Sequence, residues 1–108
     1  MFVQGQTVEV TETGEGVIRK ILGTGGTLMM TEVTFKKDAV GAMHSHPHEQ
    51  VSYIVHGSFA FTLGSETQIL RQGDSVYIPS NVEHGVVALE DRSIILDVFT
   101  PQREDFLY

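Results

Sequence analysis

The chain has 108 residues, 41% hydrophobic and 19% charged, with no cysteine and a formal net charge of −7 at pH 7. That length is expected to hold a single domain, residues 1–108, around one core, and the composition is that of an ordinary soluble globular protein. The acidic balance argues against nucleic acid or an anionic membrane as partner, zero cysteines exclude a disulfide framework, and no apolar run approaches membrane-spanning length.

The opening residues, Met1-Phe2-Val3-Gln4-Gly5-Gln6, show neither a basic nor an apolar leader region, so no secretion signal is read and the cytoplasm is the expected compartment. From there the pattern predicts strand after strand. Residues 17–22, 28–35, 51–55, 59–63, 67–70, 76–78, 85–89 and 94–99 are rich in β-branched and aromatic side chains. Gly14 and Gly16, the run 23–26, Gly64-Ser65 and Gly73-Asp74 punctuate them, and Gly64-Ser65 predicts a two-residue hairpin with glycine first. The basic pairs Arg19-Lys20 and Lys36-Lys37 read as solvated strand ends. No segment carries a sustained 3.6-residue apolar period; only 102–107 predicts a helical turn. Many short strands with regular turns imply an all-β sandwich or barrel.

Two stretches stand out chemically: His44-Ser45-His46-Pro47-His48-Glu49-Gln50, and His84 further on. In an extended strand alternate side chains share a face, so His44, His46 and Gln50 can point the same way. Should His84 arrive from a neighbouring strand, three imidazoles and an amide oxygen converge, a donor set that suits borderline divalent metals. The competing reading is a solvated or chance run, since five histidines in 108 residues is only a mild enrichment. His48 follows Pro47, which breaks the alternation, so it is expected beside the site or in solvent, and His56 next to Gly57 is expected in an exposed turn.

Asp97 sits in Ile94-Ile95-Leu96-Asp97-Val98-Phe99, sharing a face with Ile95 and Phe99 by alternation. A carboxylate among apolar neighbours is costly to bury alone. It is therefore either paired with a buried partner or faces a cavity as a functional acid or base. Arg103, past Pro101, reads by itself as a surface arginine beside Glu104 and Asp105.

The run from Gly41 to Gly57, together with Gly73-Asp74-Ser75-Val76-Tyr77-Ile78-Pro79-Ser80-Asn81-Val82-Glu83-His84, resembles the two signature motifs of the cupin family. That resemblance implies a double-stranded β-helix, or jelly-roll barrel, with a metal inside. One position departs from the common pattern, Gln50 standing where most cupins place a glutamate. More specifically, residues 44–53, 81–89 and 97–107 closely resemble the KdgF family of pectin-degradation cupins. That implies a metal-dependent enzyme converting 4,5-unsaturated monouronates, the small-molecule products of pectin or alginate breakdown, to linear 5-keto-4-deoxyuronate. It also implies His44, His46, Gln50 and His84 as metal ligands, with Asp97 and Arg103 as the catalytic and substrate-contacting residues.

A cupin fold alone decides no chemistry. Two rival readings are a metal-dependent cupin dioxygenase and a non-catalytic cupin that binds a sugar acid. A sensor of the latter kind is expected to carry a DNA-binding domain, for which 108 residues leave no room. The divalent ion can be nickel, zinc, iron or manganese with these donors. Small cupins often pair, so a homodimer is expected.

Overall fold

The computed structural model describes residues 1–107. Ten strands follow a short 3-10 turn at Gly5–Thr7: β1 Thr11–Gly14, β2 Val17–Gly25, β3 Leu28–Phe35, β4 Val40–His44, β5 Glu49–His56, β6 Ser58–Leu63, β7 Glu66–Arg71, β8 Ser75–Ile78, β9 His84–Ala88 and β10 Ser93–Thr100. A single helical turn, α1 Glu104–Leu107, comes last, inside the segment expected to turn. They form two antiparallel sheets, one ordered β1-β2-β3-β10-β5-β8 and the other β4-β9-β6-β7. From β4 onward the chain passes repeatedly between the sheets, which gives the jelly roll expected from the sequence.

Eight of the strands were legible from residue type. β1 and β4 were not. β1 (Thr-Glu-Thr-Gly) is wholly exposed, so it lacks the apolar alternation that marks a half-buried strand. β4 buries none of its residues, and Gly41 and Ala42 lower its strand propensity.

Alternation sorts the faces. Along β5, Gln50, Ser52 and Ile54 are buried while Val51, Tyr53 and Val55 are exposed. The inward residues Val17, Phe35, Ile54, Phe59, Ala88 and Ile95 make one core cluster, with Phe35 and Phe59 meeting edge to face at 5.1 Å. Each buried ring there stabilises the fold by about 1.5–3 kcal/mol. The β6–β7 connection is the expected two-residue turn, Leu63 pairing with Glu66 across Gly64 at φ 60°. This apolar cluster closes one part of the barrel; elsewhere the buried positions of the same strands mix the apolar Met29, Phe61 and Phe99 with the polar Thr31, Gln50, Ser52 and His84.

Candidate metal centre

β4 and β9 are neighbours, and their register sets His44 opposite His84 with ring centroids 4.4 Å apart. So close an approach requires glycine at position 85: a Cβ there would stand 2.9 Å from the Gly41 carbonyl oxygen and 3.0 Å from the Met43 nitrogen. His46 comes from the bend after β4, its ring 5.5 Å from His44 and 5.0 Å from His84. One nitrogen from each of His44, His46 and His84 lies within 4.8 Å of the others, so the group can hold a metal ion.

The convergence predicted for His44, His46 and Gln50 occurs, but not for the reason given. These residues do not lie on one strand. β4 ends at His44 in the four-stranded sheet, and β5 begins at Glu49 in the six-stranded sheet. A bend carrying His46 and Pro47 makes the crossing, held by the Asn81 amide donating to the His46 carbonyl at 2.8 Å.

Main-chain carbonyls fix the rings. Nδ1 of His44, His46 and His84 meets the carbonyls of Ala42, His48 and Val82 at 2.9, 3.1 and 2.9 Å. A carbonyl can only accept, so each Nδ1 carries the proton and each Nε2 keeps a free lone pair. Gln50 is fixed as firmly. Its amide nitrogen donates to Ser52 Oγ at 2.9 Å and to Asp97 Oδ1 at 3.1 Å, turning its oxygen toward the histidines.

That oxygen lies 3.0 Å from His46 Nε2. With both amide hydrogens spent and the ring proton on Nδ1, two acceptors face each other. His84 Nε2 is buried and has no hydrogen-bond partner among the described residues. An orphaned lone pair and an acceptor facing an acceptor are both explained by a cation at their common focus, so the residues fit the metal. Burial also favours the neutral form of two of these rings: it pushes His84 down to about 4 and, with the Arg103 charge, lowers His46.

Asp97 adjoins the centre. Ser52 Oγ donates to its Oδ1 at 2.6 Å, alongside the Gln50 amide. Burial pushes Asp97 up to about 6, opposed by these hydrogen bonds. Its Oδ2 takes part in no hydrogen bond among the described residues. Arg103, which precedes α1, forms a two-pronged ion pair with Asp105 at 3.0 and 2.9 Å and lies 4.3 Å over the Phe106 ring. That pair holds the Asp105 carboxyl below its usual range. A cavity of about 260 Å³ gathers His44, Gln50, His84, Asp97 and Arg103 on its walls. It falls just below the usual range of about 300–1,000 Å³ for drug-sized ligands, so it suits one small molecule.

His48 lies beside the site, its carbonyl orienting His46 and its own ring meeting the Gln102 carbonyl at 3.2 Å. His56 is exposed at the end of β5. Arg19 requires a correction. It is not a solvated strand end but faces the cavity from β2, while Lys36 and Lys37 are exposed as expected. Ser52 and Thr31 also line the cavity and were not singled out. For Ser52 and Arg19 the signal was alternation, Ser52 lying between Gln50 and Ile54, and Arg19 between Val17 and Ile21.

Comparison with known proteins agrees with the fold. The family model described as a cupin domain matches residues 31–99. The chain is 43% identical over 97 residues to the pectin degradation protein KdgF of Dickeya dadantii (strain 3937), covering 89% of this chain and 88% of that protein. Among solved structures, KdgF from Halomonas sp. superposes with a TM-score of 0.94 at 36% identity, covering 98% of this chain and 97% of that one. A RmlC-like cupin from Shewanella frigidimarina NCIMB 400 gives 0.92 at 39% identity, over 97% and 94% of the two chains.

Proposed function

The chain belongs to the cupin family and within it to the KdgF group, and from that premise we propose that it opens the ring of 4,5-unsaturated monouronates, giving the linear 5-keto-4-deoxyuronate. The observation that carries the reading is the juxtaposition of an all-neutral donor set with a carboxylate whose Oδ2 is free, on the wall of one small cavity.

In the unsaturated sugar the ring oxygen is attached to C5, which is doubly bonded to C4 and bears the carboxylate. Removing the C1 hydroxyl proton lets the bond between C1 and the ring oxygen break, leaving an enolate that is protonated at C4 to give the ketone. A divalent ion held by His44, His46, Gln50 and His84 would supply Lewis acidity to the substrate's oxygens, undiminished by any anionic ligand. Asp97 moves the protons through Oδ2, while Ser52 and Gln50 hold its Oδ1 and fix its direction. Arg103, steadied by Asp105 and Phe106, offers positive charge at the wall.

The test follows the double-bond absorbance of unsaturated galacturonate and mannuronate with purified protein, with and without chelator. Loss of absorbance that the chelator abolishes is the expected result. Unchanged absorbance with both substrates overturns the reading, and oxygen uptake in its place would indicate a dioxygenase.

A further inference from the structure

Three buried polar atoms on the walls of this cavity lack a partner among the described residues: His84 Nε2, Thr31 Oγ1 and Arg19 Nε. A metal explains the first and leaves the other two unexplained. Buried polar groups are almost always hydrogen-bonded, so orphans gathered at one cavity mark what the cavity is built to receive. Arg19 and Thr31 share an inward face of adjacent strands, Arg19 pairing with Val33 and Ile21 with Thr31 in the β2–β3 register. Both belong to the six-stranded sheet, whereas His44 and His84 belong to the other.

The two cationic side chains of the wall differ in state. Arg103 already spends its Nε and one terminal nitrogen on Asp105. Arg19 makes no ion pair among the described residues, and its guanidinium carbon lies over the Phe106 ring, 3.9 Å from the centroid. Asp105 acts on Arg19 electrostatically, yet both of its oxygens are occupied by Arg103. A half-buried guanidinium against a ring, with no ion-pair partner among the described residues, is a costly feature unless a ligand completes it. The chain carries a net charge of −7, so an anion needs a local cation to enter.

We propose that Arg19 is a substrate-contacting residue that binds the carboxylate of a sugar acid, from the wall that also carries the unpartnered Thr31 hydroxyl. Its guanidinium, held over Phe106, offers a planar fork of donors that suits a carboxylate better than a lysine ammonium would. The inference rests on the uronate reading for its ligand class, but its test needs no turnover.

Calorimetric titration of the metal-loaded protein with galacturonate and with neutral galactose separates charge from ring recognition. Arg19→Met, which retains an apolar stem against Phe106, is expected to weaken galacturonate binding about ten- to a hundredfold, with galactose affinity, metal content and melting temperature little changed. Arg19→Lys should recover only part of the loss. Lys37→Met removes the same charge from the exposed surface and should change nothing. Equal galacturonate affinity in wild type and Arg19→Met overturns the inference while leaving the ring-opening reading intact, as does a wild type that binds no galacturonate while turning over unsaturated uronate with a KM unchanged in Arg19→Met. Arg19-dependent binding without turnover of unsaturated uronates rejects the reaction and keeps the carboxylate site. Neither binding nor turnover in wild type rejects both.

Discussion

His46 Nε2 and Gln50 Oε1 stand 3.0 Å apart with no proton available to join them. The contact is repulsive unless a cation lies beside it, and it exists because Ser52 and Asp97 consume both hydrogens of the Gln50 amide. Gln50 thus links the donor set to the carboxylate. Gln50→Glu has no hydrogens to give and sets a second negative charge against Asp97. The expected outcome is a protein that keeps its metal by elemental analysis but is slowed at least about tenfold, since the ion is partly neutralised and the ionised form of Asp97 is disfavoured. Wild-type rates with full metal would show that the neutral amide is incidental.

Metal removal should be visible in stability. An ion that binds only the folded state at a hundred times its Kd adds about 2.7 kcal/mol, and each kcal/mol moves Tm by about 4–8 °C in a domain of roughly this size. Chelation is expected to lower Tm by about 10–20 °C. His44→Ala, His46→Ala and His84→Ala should each lose metal and most of this response. A chelator-sensitive Tm of wild-type size in all three variants would place the ion elsewhere.

Asp97→Asn preserves an oxygen that can accept from Ser52 and Gln50 but removes the proton carrier. Metal content and melting should stay near wild type while kcat falls about 10²–10⁴-fold. Near-normal turnover in the folded variant would take Asp97 out of the mechanism.

Arg103 and Asp105 test orientation against mere stability. Asp105 is 60% exposed, and a pair reaching so far into solvent is worth about 0–1 kcal/mol. Asp105→Asn should therefore barely change Tm. If the carboxylate aims Arg103 at the substrate, kcat/KM falls several-fold in this variant and further in Arg103→Lys, which loses the planar fork. Steady-state kinetics with unsaturated galacturonate separate the cases, and unchanged values in both variants would return Arg103 to a structural role.

Gly57 joins β5 to β6 at φ 76°, and a Cβ there would stand 2.2 Å from Ser93 Oγ and 2.9 Å from the Ser93 Cα. The second of these is backbone and cannot swing aside. Gly57→Ala is expected to lower Tm by at least about 10 °C, through both strain and overpacking. A thermal melt matching wild type would show that the β5–β6 corner has slack.

Much of the barrel was legible because strands with one buried face write a period of two into the sequence: Gln50-Val51-Ser52-Tyr53-Ile54 is buried and exposed by turns. Asp97 was legible as a cavity residue or a paired one for the same reason. The β4–β5 crossing was not, because a sheet change at Pro47 depends on packing between the sheets rather than on local propensity. Arg19 was misread because charge outweighed its position between inward-facing Val17 and Ile21, yet a long stem can lie in a wall while its charge meets a ring. Nothing local to Thr31 tells a buried hydroxyl without a partner from one that has found one.

All three imidazoles lean on carbonyls of the chain itself rather than on side chains. No substitution can delete a carbonyl, so the directions of the lone pairs survive changes to almost any neighbour. The three imidazoles, unlike Gln50, are thereby independent of the side chains around them. The wall of Arg19, Thr31 and Phe106 can change while the corner formed by His44, His46 and His84 goes on presenting the same three nitrogens.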